Sequence, residues 1–226
     1  GEIPLVEFLD YVKAYGRRWD FTKLSQIKGL CFIDDADGFR FTGWALGIPA
    51  EDLEVTDYDI LRRGLKEQPH LIERYFTDIF AIGRYDPRYK AIKGPHKVAE
   101  LPTSKGCVAR CGFCQRASKG YRPISPDKIE EHVVYLKDTF NVTEIQILDE
   151  NFGSNVKQAF EVAKIMKKHD MVWKAGGVRV TTFTAEDIKF LGEHNCLELR
   201  FGLESGSDRM LGVIEKRITV EGIKAA

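Results

Sequence analysis

The sequence predicts an α/β protein in which a parallel sheet occupies the second half of the chain. The first observation is that short apolar runs of β type recur at 97–103, 144–148, 172–180 and 196–203. The second is that a segment with helical spacing of apolar residues separates each run from the next. Alternation of this kind favours parallel strands joined by right-handed crossovers, so we expect four strands that pair in chain order.

Residues suited to helix N-caps support the predicted helices. Ser125 stands before a proline, and serine suits the N-cap as proline suits the first turn. Thr184 and Asp187 resemble a capping box with Asp in place of Glu. The third strand is expected to break at Gly176 and Gly177. The N-caps predicted in this half of the chain are Ser125, Ser154, Thr184, Ser207 and Thr219.

The first part of the chain lacks this alternation. We therefore expect a domain boundary near residue 95, with residues 1–95 and 96–226 as separate regions. Helical spacing of apolar residues over 4–15 predicts a helix that ends at Gly16. The apolar residues that follow this spacing are Leu5, Phe8, Leu9 and Val12.

A hairpin and a connector complete the first region. Two β-type runs within 29–42 flank a turn rich in Asp and Gly, which is typical of a β-hairpin. Four prolines punctuate residues 43–95, where we expect short helices around 58–67 and 70–80. No open α/β sheet fits into this part of the sequence.

Composition indicates a soluble enzyme rather than a polyanion-binding or membrane protein. The 34 basic and 34 acidic residues give a net charge of zero, which argues against general nucleic-acid binding. No apolar run reaches the length of a membrane span, and nothing resembles a signal peptide. The five cysteines do not look like a disulfide framework, since their number is odd and three are clustered. We therefore expect the protein in the reducing cytoplasm.

Three closely spaced cysteines follow the first predicted strand. Cys107, Cys111 and Cys114 have the spacing C-x3-C-x2-C and lie within one short loop. Closely spaced thiolates are typical ligands of iron–sulfur clusters. Three protein ligands for a [4Fe-4S] cluster leave one iron open to a substrate or cofactor, so the spacing suggests a reactive cluster.

A zinc site is the alternative interpretation of the same cysteines. Structural zinc normally takes four Cys or His ligands, and no second C-x2-C or H-x3-H pair occurs in the chain. His96 and His132 flank the loop, and either one would complete a zinc site. Spacing alone favours the cluster and leaves zinc open.

Polar residues follow the other three predicted strands. Asp149, Glu150 and Asn151 come after the second strand, Arg179 after the third, and the pair Glu204-Ser205 after the fourth. Carboxyl ends of consecutive parallel strands lie along one edge of a sheet, and their loops build the functional site in such folds. We therefore expect these residues to meet the cysteine loop.

Four segments together resemble the radical S-adenosylmethionine (SAM) enzymes. They are 101–114, which ends in the cysteine motif with Phe113 before the last cysteine, and 147–152, 177–179 and 201–207. The resemblance covers residues 97–226 and implies a partial (β/α) barrel of six units. This chain supplies about four of those units, so it is expected to be a fragment, truncated within the radical SAM core.

The resemblance also implies roles for the residues at the strand ends. The three cysteines would hold a [4Fe-4S] cluster, and the amino and carboxylate groups of SAM would chelate its fourth iron. Phe113 would lie near the adenine, and Asp149 or Glu150 would accept hydrogen bonds from the ammonium group. This chain has Leu148-Asp149-Glu150 where the family often has Gly-Gly-Glu. The remaining SAM contacts implied are Asn151, Arg179 with the carboxylate, Glu204 with the ribose, and Ser205.

The segment 201–207 is most similar to the corresponding segment of the radical SAM subgroup that carries a cobalamin-binding domain, and of the methylthiotransferases. Gly1-Glu2, Lys28-Gly29-Leu30 and the segment 56–59 resemble the linker that follows such a domain. The resemblance implies that a longer parent protein binds cobalamin. Residues 1–226 alone are expected not to bind it, because the Asp-x-His-x-x-Gly cobalamin motif is absent.

The function that follows from the resemblance is reductive cleavage of SAM to a 5′-deoxyadenosyl radical. Cobalamin-dependent methyl transfer to an unactivated carbon is the expected outcome, and a methylthiotransferase, a cyclase or a rearrangement enzyme is the alternative. A zinc or iron–sulfur binding module without turnover is the alternative outside enzymes. The partners implied are a small-molecule or peptide substrate and an electron donor such as flavodoxin or ferredoxin.

Overall fold

The computed structural model describes residues 2–77, 87, 96–114 and 120–226. The chain divides into two compact units, Gly1–Asp52 and Leu53–Ala226. The domain boundary expected near residue 95 stays a prediction. The predicted helix around 70–80 lies partly outside the described residues, which end at 77 before this gap. In the parts of the chain that are described, no helix is both long and apolar enough to cross a bilayer.

The first unit contains two helices and a hairpin. Helix α1 ends before Gly16, whose φ of 64° fits the left-handed conformation that glycine adopts easily. In β1 and β2 the pairing is antiparallel, with Cys31 opposite Phe41, which confirms the hairpin. The elements of this unit are α1 (Glu2–Tyr15), α2 (Phe21–Leu24), β1 (Cys31–Ile33) and β2 (Phe39–Phe41).

The helix predicted over 4–15 is confirmed, but its apolar spacing does not mark its buried side. Leu5 and Leu9 are 57% and 55% exposed, whereas Tyr11 is buried. The reason is that the Tyr11 hydroxyl donates to Arg18 O at 2.6 Å and accepts from Asp20 N at 2.7 Å. These bonds fold the segment after the helix onto the tyrosine side, and apolar spacing alone does not reveal which side gains that partner.

The second unit is built on a four-stranded parallel sheet. The strand order is β3-β6-β7-β8, so strands adjacent along the sheet follow one another in the chain, apart from the short β4–β5 ribbon. Every neighbouring pair in this sheet is parallel, as the alternation of strands and helices predicts. The strands are β3 (Val98–Leu101), β4 (Ser104–Lys105), β5 (Arg122–Pro123), β6 (Glu144–Ile147), β7 (Val172–Val178) and β8 (Cys196–Phe201).

Hydroxyl and amide side chains cap the helices of this unit. Ser125 accepts from Lys128 N, and Thr184 forms the complete capping box. The N-cap predicted at Ser154 is wrong, because the side chain of Asn155 accepts from Gln158 N instead and also suits this position. The helices are α3 (Asp59–Gly64), a 3₁₀ helix (Pro69–Phe76), α4 (Pro126–Phe140), α5 (Val156–Lys168), α6 (Ala185–Glu193), α7 (Asp208–Val213) and α8 (Val220–Ala225).

The segment before β3 packs along that edge strand. The Tyr58 hydroxyl donates to Glu100 O at 2.9 Å and accepts from Glu100 N at 3.0 Å. Phe76 is buried, and its ring lies 4.7 Å from that of Phe140 between centroids. Tyr58, the residue before α3, and the 3₁₀ helix therefore cover a strand whose free edge would otherwise face water.

Strand β7 contains a bulge rather than a break. The expected interruption at Gly176 and Gly177 is wrong, because the strand continues to Val178 and the register with β8 shifts between Ala175 and Val178. Gly177 has a φ of 69°, and a Cβ atom there would lie 2.8 Å from Asp149 O. Glycine therefore lets β7 approach the segment that follows β6.

Candidate functional site

The cysteine loop begins and ends at a short antiparallel ribbon. Strands β4 and β5 pair Ser104 with Pro123 and Lys105 with Arg122, and Ile124 N donates to Thr103 O at 2.9 Å. This ribbon was not predicted, because two-residue strands carry no periodicity in the sequence. It closes the base of the loop, so that Cys107 follows β4 directly.

A buried carboxylate fastens the first strand of this ribbon. Asp149 is 8% exposed and accepts four hydrogen bonds, from the backbone amides and hydroxyls of Thr103 and Ser104. Burial raises the pKa of Asp149, and the four donors oppose that shift. The expectation that Asp149 or Glu150 accepts the SAM ammonium stays a prediction, although both Asp149 oxygens already have protein partners.

One cavity of about 190 Å³ lies at the carboxyl ends of β3, β6, β7 and β8. It brings together most of the residues singled out in the sequence. Asp149 and Ser205 are not in its lining, and the Ser205 side chain instead accepts from Ser207 N at 3.1 Å. The lining contains Cys107, Ala109, Cys111, Phe113, Cys114, Glu150, Asn151, Gly177, Val178, Arg179, Gly202, Glu204 and Lys216.

The three cysteine sulfurs have different surroundings within this cavity. Cys111 is buried, and Arg179 Nη1 donates to its Sγ at 3.7 Å. Ala109 N donates to Cys107 Sγ at 3.3 Å, whereas Cys114 is exposed. Gly112 N donates to Ile214 O at 2.8 Å, which fixes the middle of the loop. Such donors suit sulfur ligands that carry negative charge.

The arrangement of the cysteines bears on the choice between a cluster and zinc. Within residues 2–77, 87, 96–114 and 120–226, no three Cys, His, Asp or Glu side chains are arranged to hold a single metal ion. A structural zinc ion requires its ligands to converge tetrahedrally. A [4Fe-4S] cluster takes each thiolate on a different iron atom, so its ligands stand farther apart. The choice between a cluster and a zinc site at these cysteines stays a prediction.

Arg179, Lys216 and Glu204 form one polar wall of the cavity, and Glu150 is a second carboxylate in its lining. Lys216 Nζ lies 2.9 Å from Glu204 Oε1 and 5.6 Å from the centroid of the Phe113 ring. Arg179 Nη2 donates to Lys216 O at 2.7 Å. A Cβ atom at Gly202 would lie 2.9 Å from Glu204 Oε1 and 3.0 Å from Lys216 Nζ, so glycine leaves room for this ion pair.

Lys216 is the site residue that the sequence analysis missed. It is buried, and its neighbours Glu215 and Arg217 have φ angles of 53° and 57°. Its partner Glu204 has a φ of 64°. Left-handed conformations of non-glycine residues concentrate at functional sites. The only signal in the sequence is a run of three charged residues between Ile214 and Ile218.

Asn151 belongs to the cavity lining and carries a buried acceptor without a partner among the described residues. The residue is 4% exposed, and Asn151 Oδ1 is buried with no hydrogen-bond partner among the residues that the structure describes. Buried polar atoms nearly always have partners, so an unpaired carbonyl oxygen in a cavity wall fits a ligand that donates a hydrogen bond. An ammonium group or an adenine amino group has that chemistry.

Comparison with known proteins gives matches in the same region. A family model described as the radical SAM superfamily matches residues 101–226. An uncharacterized methyltransferase of Pyrococcus horikoshii is 33% identical over 163 residues, covering 66% of this chain and 35% of that protein. Cytidylyl-2-hydroxyethylphosphonate methyltransferase of Streptomyces wedmorensis is 27% identical over 141 residues, covering 58% of this chain and 26% of that protein.

A solved structure is also similar in part. The radical S-adenosylmethionine methyltransferase TsrM from Kitasatospora setae, solved with cobalamin and a [4Fe-4S] cluster bound, has a TM-score of 0.47 at 16% identity. The similarity covers 57% of this chain and 28% of that one. The chain spans about a third of the first curated relative and about a quarter of the second. Because the family model matches more than half of the chain and includes the cysteine loop, this chain belongs to the radical SAM superfamily.

Proposed function

We propose that this chain binds a [4Fe-4S] cluster through Cys107, Cys111 and Cys114 and binds SAM in the adjoining cavity. The observation that carries the proposal is that the three cysteines and the polar residues after three further strands line one cavity. The cluster, when bound, supplies the electron that cleaves SAM reductively to a 5′-deoxyadenosyl radical.

The cations of the cavity suit the carboxylate of SAM. An ammonium group has three donors, and one donor of Lys216 is directed to Glu204. Arg179 was expected to pair with the SAM carboxylate, but its two terminal nitrogens donate to Cys111 Sγ and Lys216 O. We therefore assign the carboxylate mainly to Lys216, with Arg179 adding positive charge beside Cys111.

The acceptors of the cavity suit the other polar groups of SAM. Asn151 Oδ1 and the Glu150 carboxylate would accept from its ammonium group, because both residues line the cavity and Asn151 Oδ1 is buried without a partner among the described residues. Glu204 would accept from the ribose hydroxyls once Lys216 turns toward the ligand. The exposed face of Phe113 would contact the adenine.

Methyl transfer to an unactivated carbon is the reaction that we propose for the whole protein. Its support is that both curated relatives are named methyltransferases. The similarity of segments 201–207 and 56–59 to the cobalamin-binding subgroup supports cobalamin as a second cofactor. In the described part of the chain the one parallel sheet carries the cysteine site. We therefore propose that residues 1–95 act as a linker and that residues 1–226 alone do not bind cobalamin.

The proposed partners follow from this chemistry. A small molecule or peptide would be the substrate, and a flavodoxin or ferredoxin would supply the electron. All five cysteines are free thiols in the structure. This state suits the reducing cytoplasm, where we place the enzyme.

Anaerobic reconstitution of the protein with iron and sulfide tests the proposal. We expect about four iron atoms per chain, a brown chromophore and a change in the electron paramagnetic resonance (EPR) spectrum of the reduced protein when SAM is added. Release of 5′-deoxyadenosine under reduction would confirm turnover. A colourless protein that takes up one zinc ion per chain would instead identify a zinc module.

A further inference from the structure

Asp149 lies at the point where the cysteine loop joins the sheet. It follows the end of β6 by two residues, and its two carboxylate oxygens share four donors evenly. Oδ1 accepts from Thr103 N at 2.7 Å and Ser104 N at 3.0 Å. Oδ2 accepts from the hydroxyls of the same two residues, each at 2.7 Å. All four donors therefore belong to Thr103 and Ser104, where the chain enters β4.

The C-terminal end of the cysteine loop is hydrogen-bonded close to its N-terminal end, near Thr103. Gln158 Nε2 donates to Ile124 O at 2.8 Å and lies 3.4 Å from Thr103 O. Ile124 N itself donates to Thr103 O. Both ends of the loop are thus held by side chains that follow β6, Asp149 on one end and Gln158 on the other.

The four partners of Asp149 are neutral. None of the ion pairs in the described part of the chain includes it, although it is more than nine-tenths buried. A buried carboxylate is costly unless its oxygens are hydrogen-bonded, and such a network holds its partners rigidly when it is complete. Burial and the nearby Asp149 carboxylate raise the pKa of Tyr121 to about 12, so the negative charge also lies near the returning end of the loop.

We propose that Asp149 is a positioning residue, which anchors the base of the cysteine loop and thereby places Cys107 beside the cavity, without contacting SAM. Cys107 is three residues from Ser104, so a displaced Ser104 moves the first cluster ligand directly. Asp149 lies outside the lining of the cavity, whereas its neighbours Glu150 and Asn151 belong to it. This role of Asp149 rests on the proposed function in one respect, because one of its tests measures uptake of the iron of the cluster.

Two substitutions of Asp149 separate an anchor from a SAM contact. Asp149→Ala removes all four acceptor interactions. Asp149→Asn keeps one oxygen for the two backbone amides, and its amino group donates to the hydroxyls, which then accept. If Asp149 anchors the loop, Asp149→Asn should keep most of the exchange protection and iron uptake that Asp149→Ala loses. A contact with the SAM ammonium predicts that both variants weaken SAM binding, because both lack the negative charge, and that neither changes amide exchange at Thr103 and Ser104.

The measurements are amide hydrogen exchange in the cluster-free protein, the rate of iron uptake, and SAM affinity after loading. We expect the amides of Thr103 and Ser104 to exchange roughly tenfold faster or more in Asp149→Ala, since hydrogen bonds to a charged group are lost. Iron uptake should slow in the same variant, and Asp149→Asn should lie near the parent in both measurements. SAM affinity of the loaded fraction should not change in either variant.

Each other outcome has a definite meaning. Unchanged exchange and iron uptake combined with weaker SAM binding in both variants would overturn the proposal and make Asp149 a SAM contact. If Asp149→Ala fails to fold, Thr103→Val and Ser104→Ala replace it, because each removes one hydroxyl donor to Asp149. Both variants should speed local amide exchange and slow iron uptake, each to a smaller extent than Asp149→Ala. If neither variant changes exchange or iron uptake, the proposal is overturned. If the parent protein takes up no iron, the proposed function fails, while the exchange measurement still decides whether Asp149 anchors the loop.

Discussion

Strand β6 has a buried carboxylate near each of its ends, and the two differ in their partners. Glu144 is the first residue of the strand and is fully buried. Its oxygens lie 2.7 Å from Lys174 Nζ and 2.8 Å from His96 Nε2. Asp149 follows the other end and has only neutral donors. The β6 carboxylate at the amino edge of the sheet is therefore charge-paired, whereas the one at the carboxyl edge has no charged partner among the described residues, and the ion pair at that edge joins Lys216 to Glu204.

The pKa values of the two carboxylates shift in opposite directions. Burial acts to raise the pKa of Glu144, but the hydrogen bonds from His96 and Lys174 outweigh it and the pKa is lowered. Burial raises the pKa of Asp149, because no cation opposes it. The cations at the carboxyl edge, Arg179 and Lys216, instead line the cavity. The amino edge should thus govern stability and the carboxyl edge should govern binding.

Removal of a cluster ligand should have the largest effect of all. Cys111→Ala should abolish iron uptake, because three thiolates are the minimum set for a cluster with one open iron. Cys107→Ala and Cys114→Ala should do the same. Iron and sulfide analysis with near-visible absorption of the reconstituted protein measures the effect. Cys31→Ala is the matched control, since its thiol is exposed in the other unit, and it should load like the parent. Full loading of Cys111→Ala would contradict the assignment of the cavity.

Breaking the buried pair at the amino edge should have the next largest effect. Glu144→Gln leaves Lys174, which is 3% exposed, without its counter-charge. Loss of one partner of a buried pair costs about 3–5 kcal/mol of unfolding free energy. Denaturant unfolding of the cluster-free protein measures this cost.

The control for the amino edge is a half-exposed pair. Glu130 on α4 pairs with Lys168 and His169, and Glu130→Gln should leave the unfolding free energy nearly unchanged, because exposed ion pairs add little stability. SAM affinity of loaded Glu144→Gln should equal that of the parent. If Glu144→Gln keeps the unfolding free energy of the parent but loses SAM binding, the assignment of stability to the amino edge and binding to the carboxyl edge is wrong.

Substitutions in the polar wall of the cavity should weaken SAM binding and leave the unfolding free energy nearly unchanged, the reverse of Glu144→Gln. Glu204→Gln and Lys216→Met should each weaken SAM binding roughly 10- to 150-fold, since a hydrogen bond to a charged group contributes about 1.5–3 kcal/mol. Equilibrium dialysis of the cluster-loaded protein measures the affinity. Glu198→Gln on β8, the strand that precedes Glu204, is the control, because Glu198 pairs with Arg200 and is outside the cavity lining. If Lys216→Met binds SAM like the parent while Arg179→Met does not, the partner of the SAM carboxylate is Arg179 and not Lys216.

The smallest effect that we predict is a difference in pH dependence. The folded-state pKa of Glu144 is below its ordinary value of 4.5. Its ionised form therefore adds stability that is fully present above pH 4.5 and is lost as pH falls through the folded-state pKa. The difference in unfolding free energy between the parent and Glu144→Gln should be constant near neutral pH and shrink in acid. A difference that grows as pH falls would show that the pair is not ionised in the folded protein.

The strands, most helix starts and the meeting of the four strand ends could be predicted from the sequence. Apolar runs and hydroxyl N-caps are local signals, and parallel order follows from the alternation of elements. The cap at Asn155 was missed because Ser154 beside it is equally suitable. The exposed face of α1 was missed because it depends on where the chain after Gly16 folds back.

The roles of Lys216 and Asp149 could not be predicted for a different reason. Lys216 reaches Glu204 only after the chain has passed through α7 and returned. Asp149 and Glu150 are adjacent acidic residues at a strand end, and nothing local distinguishes the one that faces the base of the loop from the one that lines the cavity. Side-chain partners of this kind are set by tertiary structure.

The central claim is that the three cysteines and the cavity beside them form one site for a cluster and SAM. The EPR spectrum of the reduced, reconstituted protein, recorded with and without SAM, tests it most directly. We predict a [4Fe-4S] signal that changes when SAM is added and that is absent in Cys111→Ala. A signal that SAM leaves unchanged at saturating concentration, or a protein that holds zinc and gives no signal, would contradict the account.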